Sequence, residues 1–432
     1  MIFSSFSNSA NKPSKFALAV ALATTGVLAS TAIATPAQAQ RAKQEKKAAK
    51  ESEGKNYSKE FVAVYQPLAQ QVEAGGDVAA LKGQLPTLTA AAQTADDRYV
   101  AGNMILQVGQ KSQDQALQKQ GLEMMLESGK VPAANVGQYN AIAGGLAYDA
   151  KDFTKARQYF EAAMAAGYNE NEPQALIAET YFQGGQNAEG LAYLKEAIDA
   201  RKAAGQPVSE AWIKRGMSVA YNNKMPAETS DYARMFIANN PTPANWADVI
   251  VIEVTGQNYA NPELLDLMRL AREANALRDE RSYADYVDAA DYRKLPGEVL
   301  AVIDEGKAAG KIPASSQFMN DLRGQAVSRA AADKKDLPGI LKGAQNASDV
   351  ATITSGADLA LSYGDYPAAE MLYKKAMGMP GANADLIHTR LGIAQLEQGK
   401  AAEAKTHFDM VKTGPRASVA QLWSIYADQQ GG

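Results

Sequence analysis

The chain has 432 residues, of which 46% are hydrophobic and 7% aromatic, a net charge of −4, and no cysteine. This excludes disulfides, thiolate metal sites, cysteine nucleophiles and a cysteine-linked lipid anchor, and leaves enough chain to fold on its core alone. The apolar share leans on alanine and leucine and shows little two-residue alternation, which predicts an all-α fold, because alanine loses no side-chain entropy in a helix.

In chain order, the first feature is an address. Lys12 and Lys15 precede an apolar run from Phe16 to about Leu28, and Ala37-Gln38-Ala39 follows. A basic flank, an apolar middle and an A-x-A end predict a secretory signal over residues 1–39, cleaved before Gln40, and a periplasmic or secreted product. The rival is an uncleaved anchor over Phe16–Ala34. Thr24, Thr25, Ser30 and Thr31 weaken that span, and no later segment is apolar enough to cross a bilayer. Residues 40–56 read as a charged, disordered linker, with seven basic and three acidic residues from Arg41 to Lys59. Excluding everything up to Lys59, the body carries a net charge of −10, which argues against a nucleic-acid partner.

From Tyr57 to Tyr426, runs of helical pattern alternate with stops. Ala-Ala-Gly ends such runs at 165–167, 203–205 and 308–310, and Gly129-Lys130-Val131-Pro132-Ala133 reappears as Gly310-Lys311-Ile312-Pro313-Ala314. Glycine past a helix end and proline soon after are stop signals. Over 57–136 only this architecture is readable. Over 137–240 there is a period: Gly144, Ala156, Phe160 and Ala163 recur as Ala178, Gly190, Leu194 and Ala197, 34 residues later. A weaker copy has Trp212, Gly216 and Tyr232, with Glu228 in place of an alanine. Residues 241–349 read as more diverged helical repeats. Over 350–426 the period returns as Ala357, Ala369, Tyr373 and Ala376, then Gly392, Ala404, Phe408 and Val411, 35 residues on; residues 427–432 form a tail.

These spacings resemble the tetratricopeptide repeat (TPR) family, whose Leu-Gly pair is matched by Leu391-Gly392. The resemblance implies a helical-hairpin solenoid, a right-handed superhelix. Small residues let paired helices approach and an aromatic fills the gap beside them. It further implies that first helices line a concave surface that binds a protein or peptide. Carried over by register, that surface takes Gln138, Ala141, Gly145 and Tyr148 from one unit and Glu172, Ala175, Glu179 and Phe182 from the next. The family's clamp for C-terminal carboxylates uses lysine, arginine and asparagine at such positions. Glutamates stand here, so that specificity does not transfer; acid beside Tyr148 and Phe182 suits a segment with basic and apolar residues. The other reading is that these side chains only fill contacts between neighbouring helices.

Chemistry-bearing motifs are sparse. The two histidines, His388 and His407, fall in different helices of neighbouring units without a partner at helical spacing, and read as surface or packing residues rather than metal ligands. Nucleotide, hydrolase and zinc-protease motifs are missing, and Ser52-Glu53-Gly54-Lys55, an S-x-x-K match, lies in the charged arm. Asp279-Glu280, Asp285, Asp288 and Asp291 could offer oxygens to calcium, yet Arg281 four residues before Asp285 suits a solvated helix face. Neighbouring Tyr283, Tyr286 and Tyr292 read as packing. Asn239-Asn240-Pro241-Thr242-Pro243 is a turn, with Trp246 opening the next helix. The expected function is a non-catalytic periplasmic scaffold or adaptor without cofactor or metal. The alternatives are a cell-envelope glycan-acting enzyme, with Glu172 and Glu179 as its acids, and a glycan or small-ligand binder stacking on Trp212 and Trp246.

Overall fold

Residues 56–431 are described by the structure, a computed structural model. The expected signal, most of the expected linker and the S-x-x-K match lie outside them. Among the described residues there are 20 α-helices and no strand, and no helix is long and apolar enough to cross a membrane. They divide into two compact units that meet at residues 206 and 207 in the sequence.

The first unit holds α1 (Lys59–Glu73), α2 (Val78–Ala91), α3 (Ala95–Lys111), α4 (Gln115–Glu127), α5 (Ala133–Asp149), α6 (Phe153–Ala165), α7 (Pro173–Gln183) and α8 (Asn187–Ala203). Consecutive helices pack as hairpins, α3 on α4, α5 on α6 and α7 on α8. Local chemistry sets the starts. Thr94 and Asp97 form a reciprocal capping box on α3, while Asp114 and Asp152 cap α4 and α6. In the tightest hairpin, Gly102 faces Gly121, and a methyl group on Gly102 would sit 2.6 Å from the Gly121 carbonyl oxygen. Backbone meets backbone there, so neither position accepts a side chain.

The second unit holds α9 (Glu210–Asn222), α10 (Pro226–Asn239), α11 (Pro243–Gly256), α12 (Asn261–Glu273), α13 (Glu280–Ala290) and α14 (Pro296–Ala308). It continues with α15 (Gln317–Asn346), α16 (Val350–Ser362), α17 (Tyr366–Met377), α18 (Ala384–Leu396), α19 (Ala401–Phe408) and α20 (Pro415–Gln430). Neighbours again pack in sequence, α9 on α10, α14 on α15, α16 on α17 and α18 on α19. The last helix departs from that order: α20 packs on α18 and α19 and also returns to α10 and α12. This unit therefore closes on itself.

The small-residue and aromatic pairing is realised at a constant offset. Methyl groups built on Gly144 and Gly392 would fall 2.7 Å and 2.5 Å from the rings of Phe160 and Phe408, each 16 residues on; Gly216 meets Tyr232 in the same way. Ala357 and Tyr373 complete the series and both are fully buried. One unit departs from the register. Gly190 is covered by Phe182 from the preceding helix, and Ile198 is buried where the spacing had pointed to Ala197, which is only half-buried. The echoed Gly129 and Gly310 both adopt φ of 67°, each ending a helix before Val131 or Ile312 turns inward.

Candidate functional site

The sequence-nominated surface residues divide by environment. Gln138 on α5 and Glu172 are exposed, Glu179 and Tyr148 are half-buried, and Phe182 is buried. Glu172 is the N-cap of α7, and it follows Asn171 in a left-handed conformation, with φ of 50° and 57°. Glu179 accepts a hydrogen bond from Gln183 at 2.7 Å, one turn on. Tyr148 packs edge-on against Phe153, with ring centroids 5.5 Å apart. Phe182 packs on Gly190 of α8 and is buried, so it belongs to the hairpin interior rather than to an open groove. Glu172, one of the two acids nominated for a glycan-cleaving site, is exposed at the N-cap of α7 rather than enclosed in a cleft.

Other candidates resolve more sharply. Trp212 and Trp246 are only 3% and 2% exposed, so neither offers a face for ligand stacking. Trp246 lies in the first turn of α11, its indole N–H bonded to Gln429. The acidic patch is a helix start: Asp279 forms a capping box with Ser282 on α13, and Asp291 is held by Arg293 at 2.8 Å. Among the described residues, no group of three or more His, Asp or Glu is arranged to hold a metal. The histidines need correction. They belong to the two helices of one hairpin, α18 and α19, and their Nδ1 atoms lie 3.0 Å apart. Burial lowers both pKa values, and for His407 the charges of His388 and Lys374 push the same way.

The strongest concentration of chemistry is in the second unit, around charged residues that the sequence did not single out. Asp266 on α12 is fully buried and faces three guanidiniums: Arg269 at 3.0 Å, Arg390 of α18 at 3.0 Å, and Arg416 of α20. Arg269 reaches on to Glu298 of α14 at 2.7 Å, and Glu298 accepts from the Tyr286 hydroxyl at 2.9 Å. Arg390 also pairs with Asp358 of α16 at 2.7 Å, and Asp358 accepts from the Tyr373 hydroxyl at 2.6 Å. Arg416 pairs with Glu263 at 3.0 Å. Burial alone would raise the Asp266 carboxyl, but Arg390, Arg416 and Arg269 hold it below its ordinary value. Glu298 is lowered in the same way by Arg269 and Tyr286 against its burial. One buried network thus ties seven helices of the unit and fixes the return of α20.

Above this network lies a cavity of about 310 Å³. Arg269, Glu298, Tyr286 and Trp423 are its buried lining; Arg272, Glu273, Tyr363, Tyr366 and Glu397 are its half-buried lining. Burial and the neighbouring Glu397 charge push the Glu273 carboxyl up to about 7, against the pull of Arg272. Burial also raises Glu397, opposed by a hydrogen bond from Tyr366 and by Arg272. The cavity can therefore take up or release protons near neutrality.

Comparisons with known proteins add little. No protein-family profile matches the chain, and no curated protein matches it. Among solved structures it resembles that of Naa15/Naa10 bound to HypK-THB, at 13% identity and a TM-score of 0.35, over 87% of this chain and 61% of that one. The chain thus spans under two thirds of that neighbour's length, and the helical pairing described above stands on this chain's own packing.

Proposed function

We propose that this chain is a non-catalytic scaffold of the tetratricopeptide type, exported by cleavage before Gln40, that binds a protein or peptide segment along successive first helices. One observation carries the reading. Hairpins joined by the small-residue and aromatic contact repeat along the chain; Gln138 on the first helix α5 and Glu172, the N-cap of the first helix α7, are exposed and Glu179 is half-exposed, while Tyr139, Leu146, Ile177 and Phe182 of the same helices are buried. Such arrays offer extended surfaces rather than a single cleft. The acids favour a segment carrying basic residues, with apolar anchors supplied by the partner. The exposure of Glu172 does not favour the catalytic alternative, and the burial of Trp212 and Trp246 does not favour the stacking one.

Photo-crosslinking in growing cells tests this. A photoreactive residue at Gln138, Glu172 or Glu179 is expected to give one discrete protein adduct. The same residue at the exposed second-helix positions Glu161 and Glu189 is expected to give none. The adduct should carry a chain that starts at Gln40 and fractionates with the periplasm. Equal labelling from both sets of positions, or a full-length chain retained in the membrane fraction, counts against the reading.

A further inference from the structure

We propose that the cavity of the second unit binds a small organic ammonium ligand, its cationic nitrogen held between the carboxylates of Glu273 and Glu397 and its carbon skeleton against Tyr363 and Tyr366. The charges of the lining lead there. Arg269 is committed to Asp266 and Glu298, and Arg272 to Glu305 at 2.7 Å. The Glu397 carboxylate has the Tyr366 hydroxyl, and that of Glu273 has no hydrogen-bond or ion-pair partner among the described residues. Once each guanidinium is assigned, the charge left facing the space is negative.

The backbone adds to it. Helix α12 ends at Glu273, α16 at Ser362 beside Tyr363, and α18 at Leu396 beside Glu397, so three helix C-termini reach the cavity and bring the negative ends of their dipoles. Two N-termini reach it as well, and each carries its own acid: Glu298 in the first turn of α14 and Asp365 capping α17. Phenol rings complement an alkylammonium, because the π-face attracts the cation and the ring covers its methylenes. The volume, about 310 Å³, lies at the low end for ligand pockets and suits a molecule of a few heavy atoms rather than a peptide. Calcium fits less well, since it takes six to eight oxygens at close range and only two carboxylates are uncommitted here.

Isothermal titration of the full mature protein with 1,4-diaminobutane tests the assignment. Saturable one-to-one binding is expected, about tenfold tighter at pH 8 than at pH 6, because the Glu273 carboxyl, pushed up to about 7, ionises over that interval while the diamine stays charged. The charged and titratable groups facing Glu273 are Arg272 on its own helix, Glu305 of α14, Tyr366 of α17, Glu397 after α18 and Tyr426 of α20. Glu273→Gln is expected to weaken binding at least about tenfold at pH 8 and to abolish the pH dependence. It should melt no lower than wild type, since it removes a half-buried charge that has no ion-pair partner among the described residues. Glu397→Gln serves as the independent second variant, with the same loss of affinity. No saturable binding of the diamine at pH 8, or unchanged affinity in either folded variant, overturns the proposal.

Discussion

Asp266→Ala is expected to destabilise the second unit by about 3–5 kcal/mol, because it leaves three buried guanidiniums converging without their shared counter-charge. Three guanidiniums converge on that carboxylate, from α12, α18 and α20, and all three are buried. Arg269 and Arg390 would keep Glu298 and Asp358, and Arg416 would keep Glu263. None would keep the shared centre. Denaturant unfolding of wild type and variant checks the size of the loss. The sign of the pH dependence follows from the lowered Asp266 carboxyl: its stabilisation is fully present above the unfolded carboxylate pKa and disappears as pH falls through the lower folded value. Acid should therefore erode the wild-type advantage, and the gap between wild type and Asp266→Ala should narrow at low pH. A gap that stays constant down to strong acid would mean that Asp266 is not the ionised centre of the network.

Trp423→Ala is expected to cost a comparable amount, about 3–5 kcal/mol, from lost apolar burial and the void left behind. Trp423 is fully buried on α20, where its indole N–H donates to the Asp266 carbonyl oxygen at 2.9 Å. Its ring stacks with Phe408 at 5.9 Å and meets Tyr426 edge-on at 6.0 Å. Tyr426 in turn donates its hydroxyl to the Glu273 carbonyl oxygen at 3.0 Å. The substitution thus removes the side chain through which the last helix grips α12 and α19 together. Met371→Ala is the matched control: Met371 is 46% exposed, and a change of about 0.5 kcal/mol or less is expected there. Equal urea midpoints for Trp423→Ala and Met371→Ala would show that α20 is not integral to the unit.

These effects also mark where the sequence is legible. The pairs Gly144 with Phe160, Gly216 with Tyr232 and Gly392 with Phe408 could be read directly, because hairpin packing repeats at a fixed spacing. Helix starts were missed: Asp279, taken for part of a solvated acidic face, is the N-cap of α13. Phe182 was assigned to the surface because it shares a helix position with groove residues elsewhere. The signal against that was Gly190, a glycine in the second helix whose covering ring has to come from the first. His388 and His407 were judged by neighbours on one helix, although residues 19 apart within a hairpin can face each other.

The closure of the second unit had no such signature. Arg390 and Arg416 reach Asp266 across 124 and 150 residues, and no period encodes the partner of a single buried charge. An arginine in a helix reads as a solvated face until the fold places it. The cavity was hidden for the same reason. Glu273 and Glu397 stand at the C-terminal ends of α12 and α18, where the helix dipole disfavours an acid, but the walls that enclose them come from helices far apart in the chain.

The scaffold reading is tested most directly by reversing charge on its nominated surface. With the crosslinked partner identified and purified, its affinity for wild type and for the double variant Glu172→Lys, Glu179→Lys would be measured at low and physiological ionic strength. Exposed and half-exposed acids contribute little to folding but strongly to encounter and specificity. The double variant should melt with wild type and bind the partner at least about tenfold more weakly at low salt, the difference shrinking as salt screens it. Undiminished affinity in a folded double variant would contradict a partner surface that includes α7.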